Sequence, residues 1–123
     1  MKMFMKKQKI SAEGIKFSIK KDNKEVARAY LYLMKNALHK QPFGFMEDVF
    51  IDESLRGKGY GTKIVKEIIK EAKKQNCYKL IATSRYPRDK VHKLYKKLGF
   101  RDWGKEFRIN LKEKNQGRFQ TTF

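Results

Sequence analysis

Cysteine is nearly absent from this chain. Cys77 stands alone among 123 residues, so no internal disulfide can form and a disulfide-stapled secreted scaffold is excluded. Its apolar neighbours make it a candidate buried thiol in a reducing compartment rather than a nucleophile. Histidine occurs only at positions 39 and 92, and no His/Cys cluster has metal-ligand spacing, so a zinc site is not expected. Proline occurs only at positions 42 and 87. There is no proline-rich linker, internal repeat or low-complexity block. No apolar run approaches the ~18 residues that span a bilayer. The N-terminus lacks the long apolar segment and small-residue cleavage site of a signal peptide. The expected address is the cytoplasm, with no membrane partner. The length suits one packed domain and is too short for two. We place that domain at residues 1–112, with a polar tail at 113–123.

Acid is also scarce. Thirteen Asp and Glu face 31 Lys and Arg, for a net charge of +18. Such a charge draws polyanions, whether nucleic acid, an acidic protein or a polyanionic cofactor. Lysines are spread along the chain, eight of them within residues 1–24, and spread charge usually forms solvated faces. Attraction of a polyanionic cofactor is the most economical use of the field.

What is present is periodicity. Ile15, Phe17 and Ile19 alternate with polar residues as a strand does, and Asp22 and Asn23 supply turn chemistry. Residues 25–34 and 44–52 read as two more strands, giving an antiparallel meander, and residues 3–10 as a short additional one. Over 60–75 the period changes: Ile64, Val65, Ile68, Ile69 and Ala72 line one helical face. Residues 78–83 form a short apolar strand. Val91, Leu94, Tyr95 and Leu98 mark a second helix, which Gly99 is placed to end. Phe107, Ile109 and Leu111 alternate in a last strand. The order implies an α/β (α+β) fold with a mixed, mostly antiparallel sheet and two main helices, its strand–helix–strand unit giving one parallel pair.

Between the third strand and the first helix lies Arg56-Gly57-Lys58-Gly59-Tyr60-Gly61-Thr62. Glycines let the backbone turn and bring its N–H groups close to a ligand. The helix start adds unpaired N–H donors and partial positive charge. The loop therefore suits an anion, most simply a phosphate. It is not a Walker loop, because no Gly-Lys-Ser/Thr closes it, and it lacks the three-glycine spacing of a dinucleotide fingerprint.

Arg56-x-x-Gly59-x-Gly61 resembles the Arg/Gln-x-x-Gly-x-Gly/Ala signature of the GNAT superfamily of N-acetyltransferases. Met46-Glu47-Asp48-Val49-Phe50-Ile51 looks like that family's fourth strand. Leu94-Tyr95-Lys96-Lys97-Leu98-Gly99-Phe100 looks like the end of its late helix. The resemblance covers roughly residues 24–112 and implies the acyl-CoA N-acyltransferase fold, with acetyl-coenzyme A as cosubstrate, no metal, and transfer of an acetyl group to a primary amine by direct attack. The family's first two helices, which wall the acceptor pocket, find no room between residues 11 and 14. The acceptor side is then either open or completed by a second subunit, and a homodimer is expected. Apolar patches around 43–50 or 30–33 would form its interface.

Carried over position by position, the resemblance implies that Val49, Phe50 and Ile51 hold the cofactor through backbone groups, and that Arg56, Gly57, Lys58, Gly59, Tyr60, Gly61 and Thr62 surround its phosphates. Tyr95 matches the family's general acid for the departing thiolate; it also lies on the apolar stripe of its helix, so packing alone would explain it. Glu47 and Asp48 stand where related enzymes carry a carboxylate that binds and deprotonates the acceptor ammonium. Neighbouring strand residues face opposite ways, so one of the pair should reach the site unless a bulge intervenes. Glu47 is preferred, with a solvated or structural ion pair as the bland reading. Arg88 replaces the family's asparagine, seven positions before the tyrosine, and its partner is either the cofactor or an anionic acceptor. His92, near the polar edge of its helix, and His39, in a loop, read as surface or structural residues. Gly44-x-Met46-Glu47-Asp48 and Asn76-Cys77-Tyr78-Lys79 look most like the glucosamine-6-phosphate branch. The competing reading is a basic module that binds nucleic acid or an acidic protein on the same scaffold, with little catalysis.

Overall fold

The computed structural model describes residues 1–112; the tail expected at 113–123 lies outside the described residues. The alternation of Ile15, Phe17 and Ile19 becomes β1 (Glu13–Lys21), and the chain turns back into β2 (Lys24–Met34). The turn residues Asp22 and Asn23 have φ of +53° and +63°. That left-handed pair matches the twist of the flanking strands, and Asp and Asn are among the few side chains that tolerate it. β3 (Phe43–Ile51), a 3-10 turn (Glu53–Leu55), α1 (Tyr60–Lys74), β4 (Leu80–Ala82) and α2 (Asp89–Lys97) follow. The sheet runs β1-β2-β3-β4; its first three strands are antiparallel and β4 is parallel to β3. These are the elements expected from periodicity, with boundaries moved by a residue or two.

The core lies between the sheet and α1, which packs on β2 and β3. Ile64, Val65, Ile68 and Ala72 are buried, as the helical stripe required, while Ile69 sits at its half-buried edge. Opposite them β2 presents Ala27, Ala29, Leu31 and Leu33. The two alanines are fully buried, and side chains this small let the helix approach the sheet closely. Burying a residue such as Leu31 or Ile68 contributes roughly 1.5–3 kcal/mol.

Two expected strands are absent. Residues 3–10 and the segment carrying Phe107, Ile109 and Leu111 form no strand and have no ladder partner among the described residues. Their apolar side chains stand in solvent, Phe107 at 91% exposure and Met3 at 94%. Alternation records a tendency to form a strand, whereas a strand needs a neighbour for its N–H and C=O groups. β4 is only three residues long and gives the C-terminal segment little to pair with. Cys77 is half-buried rather than buried. Desolvation pushes its thiol up, which disfavours the reactive thiolate. Among the described residues no helix precedes β1, and none is long and apolar enough to cross a membrane.

Candidate active site

The site begins with a break in the β2–β3 ladder. Arg28 pairs with Phe50 and Tyr30 with Glu47, so Ala29 alone opposes both Asp48 and Val49. This is a β-bulge, and Asp48 takes a left-handed φ of +52° to make it. Burial parity changes across it: Gly44 and Met46 face the core before the bulge, Val49 and Ile51 after it. β3 also leaves β4 here, since their parallel pairing ends at Met46 and Ala82. Beyond that point the edge of β3 carries backbone groups with no strand beside them among the described residues.

A cavity of about 470 Å³ opens where β3 and β4 part. Met46, Glu47, Asp48 and Val49 line one side, and Thr83, Ser84, Arg85, Arg88 and Tyr95 the other. The bulge thus brings both carboxylates of the Glu47–Asp48 pair to the cavity. They are not equivalent. Asp48 lies 3.4 Å from the Arg28 guanidinium, which in turn stacks over Phe50 at 4.8 Å. Glu47 is exposed, and it is the carboxylate better suited to a cationic acceptor.

Tyr95 is held by the way α2 ends. Gly99 adopts φ +106°; its N–H donates to the Lys96 carbonyl at 3.1 Å, and the Phe100 N–H to the Tyr95 carbonyl at 2.9 Å. These are the two bonds of a Schellman motif, whose usual apolar contact joins the residues three before and two after the cap. Here that contact is the Tyr95 ring against Phe100, 5.2 Å between centroids. Burial pushes the Tyr95 hydroxyl up to about 12, so it keeps its proton at any physiological pH. The Leu-Tyr-x-x-Leu-Gly-Phe run therefore caps a helix and fixes a protonated phenol at a cavity wall.

The glycine loop leaves the far end of β3. Arg56 donates from Nε to the Ile51 carbonyl at 3.2 Å, tying the loop to the strand. Gly57 and Gly59 have φ of +76° and +87°, and a Cβ added to either would meet no atom within 4 Å. The backbone is bent into a shape that side chains avoid, with open space above it. Gly59 is the α1 N-cap and offers no side chain to the helix's first N–H groups, and no acid occupies the first turn. Lys58 and Lys63 flank it. Open donors, helix-end charge and absent acid are the chemistry a pyrophosphate requires. The side chains of Val49 and Ile51 point into the core and Phe50 lies under Arg28, which leaves their backbone as what they can offer a ligand.

The family model described as "Acetyltransferase (GNAT) family" matches residues 3–100. The chain belongs to the GNAT acetyltransferase family. It is 35% identical over 68 residues to glucosamine 6-phosphate N-acetyltransferase from Trypanosoma brucei brucei, an alignment covering 55% of this chain and 44% of that protein. The chain thus spans less than half the length of that curated relative. Among solved structures, a putative acetyltransferase from Agrobacterium tumefaciens superposes with TM-score 0.72 at 32% identity, over 79% of this chain and 68% of that one. The glucosamine-6-phosphate N-acetyltransferase of Arabidopsis thaliana superposes equally, with TM-score 0.72 at 25% identity, over 80% and 67%.

In this GNAT chain Arg88, read from sequence as a cofactor or acceptor contact, is the α2 N-cap residue and lines the cavity with Glu47 and Tyr95, away from the glycine loop. His92 Nε2 lies 2.8 Å from the Arg85 carbonyl, a structural contact of the turn that presents Arg85. Sequence reasoning missed Tyr30, Tyr32, Arg85, Glu106 and Arg108, all at the cavity. Tyr30 and Tyr32 could have been found, because they alternate with the buried Ala29, Leu31 and Leu33 and so stand on the sheet's other face. Their rings stack there 6.1 Å apart. Glu106 and Arg108 are ion-paired at 2.7 Å and flank Phe107, so the segment read as a strand turns its polar side to the cavity and its apolar side to solvent.

Proposed function

We propose that this protein is an acetyl-coenzyme A-dependent N-acetyltransferase whose acceptor is a small anionic amine of the phosphorylated amino-sugar type. The observation that carries the reading is the β3 bulge, which places an exposed carboxylate, Glu47, in one cavity with a protonated phenol, Tyr95, at the strand edge that runs on to the glycine loop. Bound acetyl-coenzyme A would supply an acetyl group on a thiol leaving group. The loop from Arg56 to Thr62 holds its phosphates. Glu47 binds the acceptor ammonium and takes its proton, leaving a nucleophilic nitrogen. Tyr95 holds the proton that the departing sulfur needs. The guanidiniums of Arg85 and Arg88 at the cavity favour an acceptor that carries phosphate or carboxylate, whereas Arg108 is already paired with Glu106. The names of the relatives in trypanosome and plant point the same way.

Free-thiol release followed by absorbance tests this against a panel of glucosamine 6-phosphate, glucosamine, spermidine and an amino acid. The phosphorylated sugar is expected to give the highest kcat/KM. Equal rates with glucosamine would remove the anionic-acceptor reading, and no release with any amine would remove the activity. Glu47→Gln is expected to lower kcat/KM at neutral pH by about 10²-fold, the low end of general-base assistance. The loss should shrink as pH rises and the amine deprotonates unaided. A pH-independent loss would mean that Glu47 only binds.

We also propose a homodimer, with its apolar patch moved from where the sequence placed it. Tyr30 and Phe43 to Phe50 are mostly buried or half-buried, while Trp103, Phe107, Ile109 and Leu111 are 83–91% exposed. Covering that strip with a second copy would also steady Glu106 and Arg108 at the cavity. Because +18 on each copy opposes association, the dimer should tighten as salt rises. Light scattering at tens of micromolar protein should give twice the monomer mass at moderate salt; a monomer at every salt concentration refutes it.

A further inference from the structure

The end of the sheet remote from the cavity is built differently from the rest of the surface. Two loops meet there: the one between β2 and β3, and the one between α1 and β4. Tyr78 N–H donates to the Pro42 carbonyl at 3.0 Å, and Gly44 N–H to the Lys79 carbonyl at 2.9 Å. On this backbone clasp the His39 ring stacks on Tyr78 with centroids 4.3 Å apart, and Phe43 meets Tyr78 edge-on at 6.4 Å. Tyr78 is 41% exposed, and His39 is exposed. His39 lies against one face of Tyr78, so it is the exposed His39 ring that the stack presents to solvent.

The two segments that meet at the platform carry charge of one sign. Residues 34–46 and 72–88 contain no Asp or Glu, although they carry Lys35, Lys40, Lys73, Lys74 and Lys79. Lys79 Nζ sits over the Phe43 ring at 5.2 Å and over the Tyr78 ring at 5.3 Å, so its cation lies against the aromatic cluster. Lys73 and Lys74 close the last turn of α1, directly before the loop that bears Tyr78. Parallel register sets the distance from the cavity: Phe43 precedes Glu47 by four strand residues, roughly 13 Å.

We propose that this end of the molecule binds single-stranded nucleic acid, with bases stacking on the His39–Tyr78 platform and phosphates held by Lys40, Lys79 and the lysines that end α1. Exposed aromatic faces bordered by lysine suit unpaired bases, whose π-faces are available to stack and whose phosphates are within a side chain's reach. Duplexes fit poorly, because their bases are already stacked on one another. The acid-free loops distinguish this surface from the outer face of α1, where Glu67 and Glu71 accompany the lysines. The site is independent of the acetyl-transfer reading, sharing no residue with it.

Fluorescence anisotropy with a labelled twelve-nucleotide single strand, measured without coenzyme A, tests the proposal. Affinity should fall with salt by about 0.7 log units per log unit of salt for each phosphate held. Tyr78→Ala with His39→Ala should weaken binding about tenfold or more, and Tyr78→Phe should restore it. Lys40→Gln with Lys79→Gln should flatten the salt slope by about 1.4. Lys20→Gln with Lys21→Gln, which removes equal charge from the hairpin at the other end of the sheet, should leave both affinity and slope nearly unchanged. If Tyr78→Ala fails to fold, His39→Ala combined with Lys40→Gln makes the same test on exposed loop residues. Insensitivity to the aromatic changes, equal loss in the hairpin control, equal binding of a duplex of the same sequence, or equal competition by polyglutamate would each overturn the proposal. Because no step uses an amine or coenzyme A, failure here leaves the acetyltransferase reading standing, and failure of that reading leaves this one.

Discussion

Coenzyme A at ~100 times its dissociation constant is expected to stabilise the protein by about 2.7 kcal/mol through mass action, which for a domain of this size reads as roughly 10 °C in melting temperature. The donors lie in the loop from Arg56 to Thr62, and Gly59 is where the expectation can be tested most sharply. At φ +87° an ordinary side chain would strain the backbone, but Asn and Asp tolerate the left-handed region better than others do. Neither would collide with a neighbour, since a Cβ there meets nothing within 4 Å. Gly59→Asn and Gly59→Asp therefore carry similar backbone costs and similar bulk, and differ in charge. Both should fold. The asparagine variant should keep part of the thermal shift. The aspartate variant should lose all of it, because its carboxylate occupies the helix end that the pyrophosphate needs. A full shift in the aspartate variant, or none in the unmodified protein, would sink the assignment of the loop.

That loop was legible in the sequence because its chemistry is local. Glycine spacing, the adjoining strand and the start of the apolar helical stripe are all read within a few residues, and each corresponds to an observed conformation. The same holds for the Asp22–Asn23 turn and for the end of α2, where Gly99 and Phe100 follow the tyrosine they position. The bulge was half legible. Buried residues change from even to odd positions between Met46 and Val49, but the sequence shows only two continuous apolar runs on either side of an acidic pair, which leaves room for a bulge without locating one. Its consequence, that both Glu47 and Asp48 reach one cavity while Arg28 engages only the second, depends on a strand twenty residues away. The terminal segments were misread for a related reason. Phe107, Ile109 and Leu111 alternate as a strand should, but whether a neighbour supplies their hydrogen bonds is a property of the whole sheet. That alternation leaves Glu106 and Arg108 on the side opposite Phe107, yet nothing local reveals that this side faces the cavity.

Tyr95→Phe is expected to leave coenzyme A binding intact and to reduce kcat by roughly 10²–10⁴-fold, the usual worth of general-acid assistance. The substitution keeps the ring that packs against Phe100 and the helix end that holds it, and removes only the hydroxyl. Since burial raises that hydroxyl to about 12, Tyr95 should not produce a falling limb in the rate profile below about pH 10, and the loss in the variant should be nearly constant from pH 6 to 9. Stability offers a second reading of the same group. Its folded value lies above the unfolded value near 10, so its contribution is complete below pH 10 and is lost as pH rises toward 12. Over that window the unmodified protein should lose up to about 2–3 kcal/mol that the phenylalanine variant keeps. A loss of activity under threefold at saturating cofactor would reduce Tyr95 to a packing residue. An identical alkaline decline in both proteins would show that its hydroxyl is not desolvated in the folded state, and would remove the stability claim while leaving the kcat test of the proton donor to stand on its own.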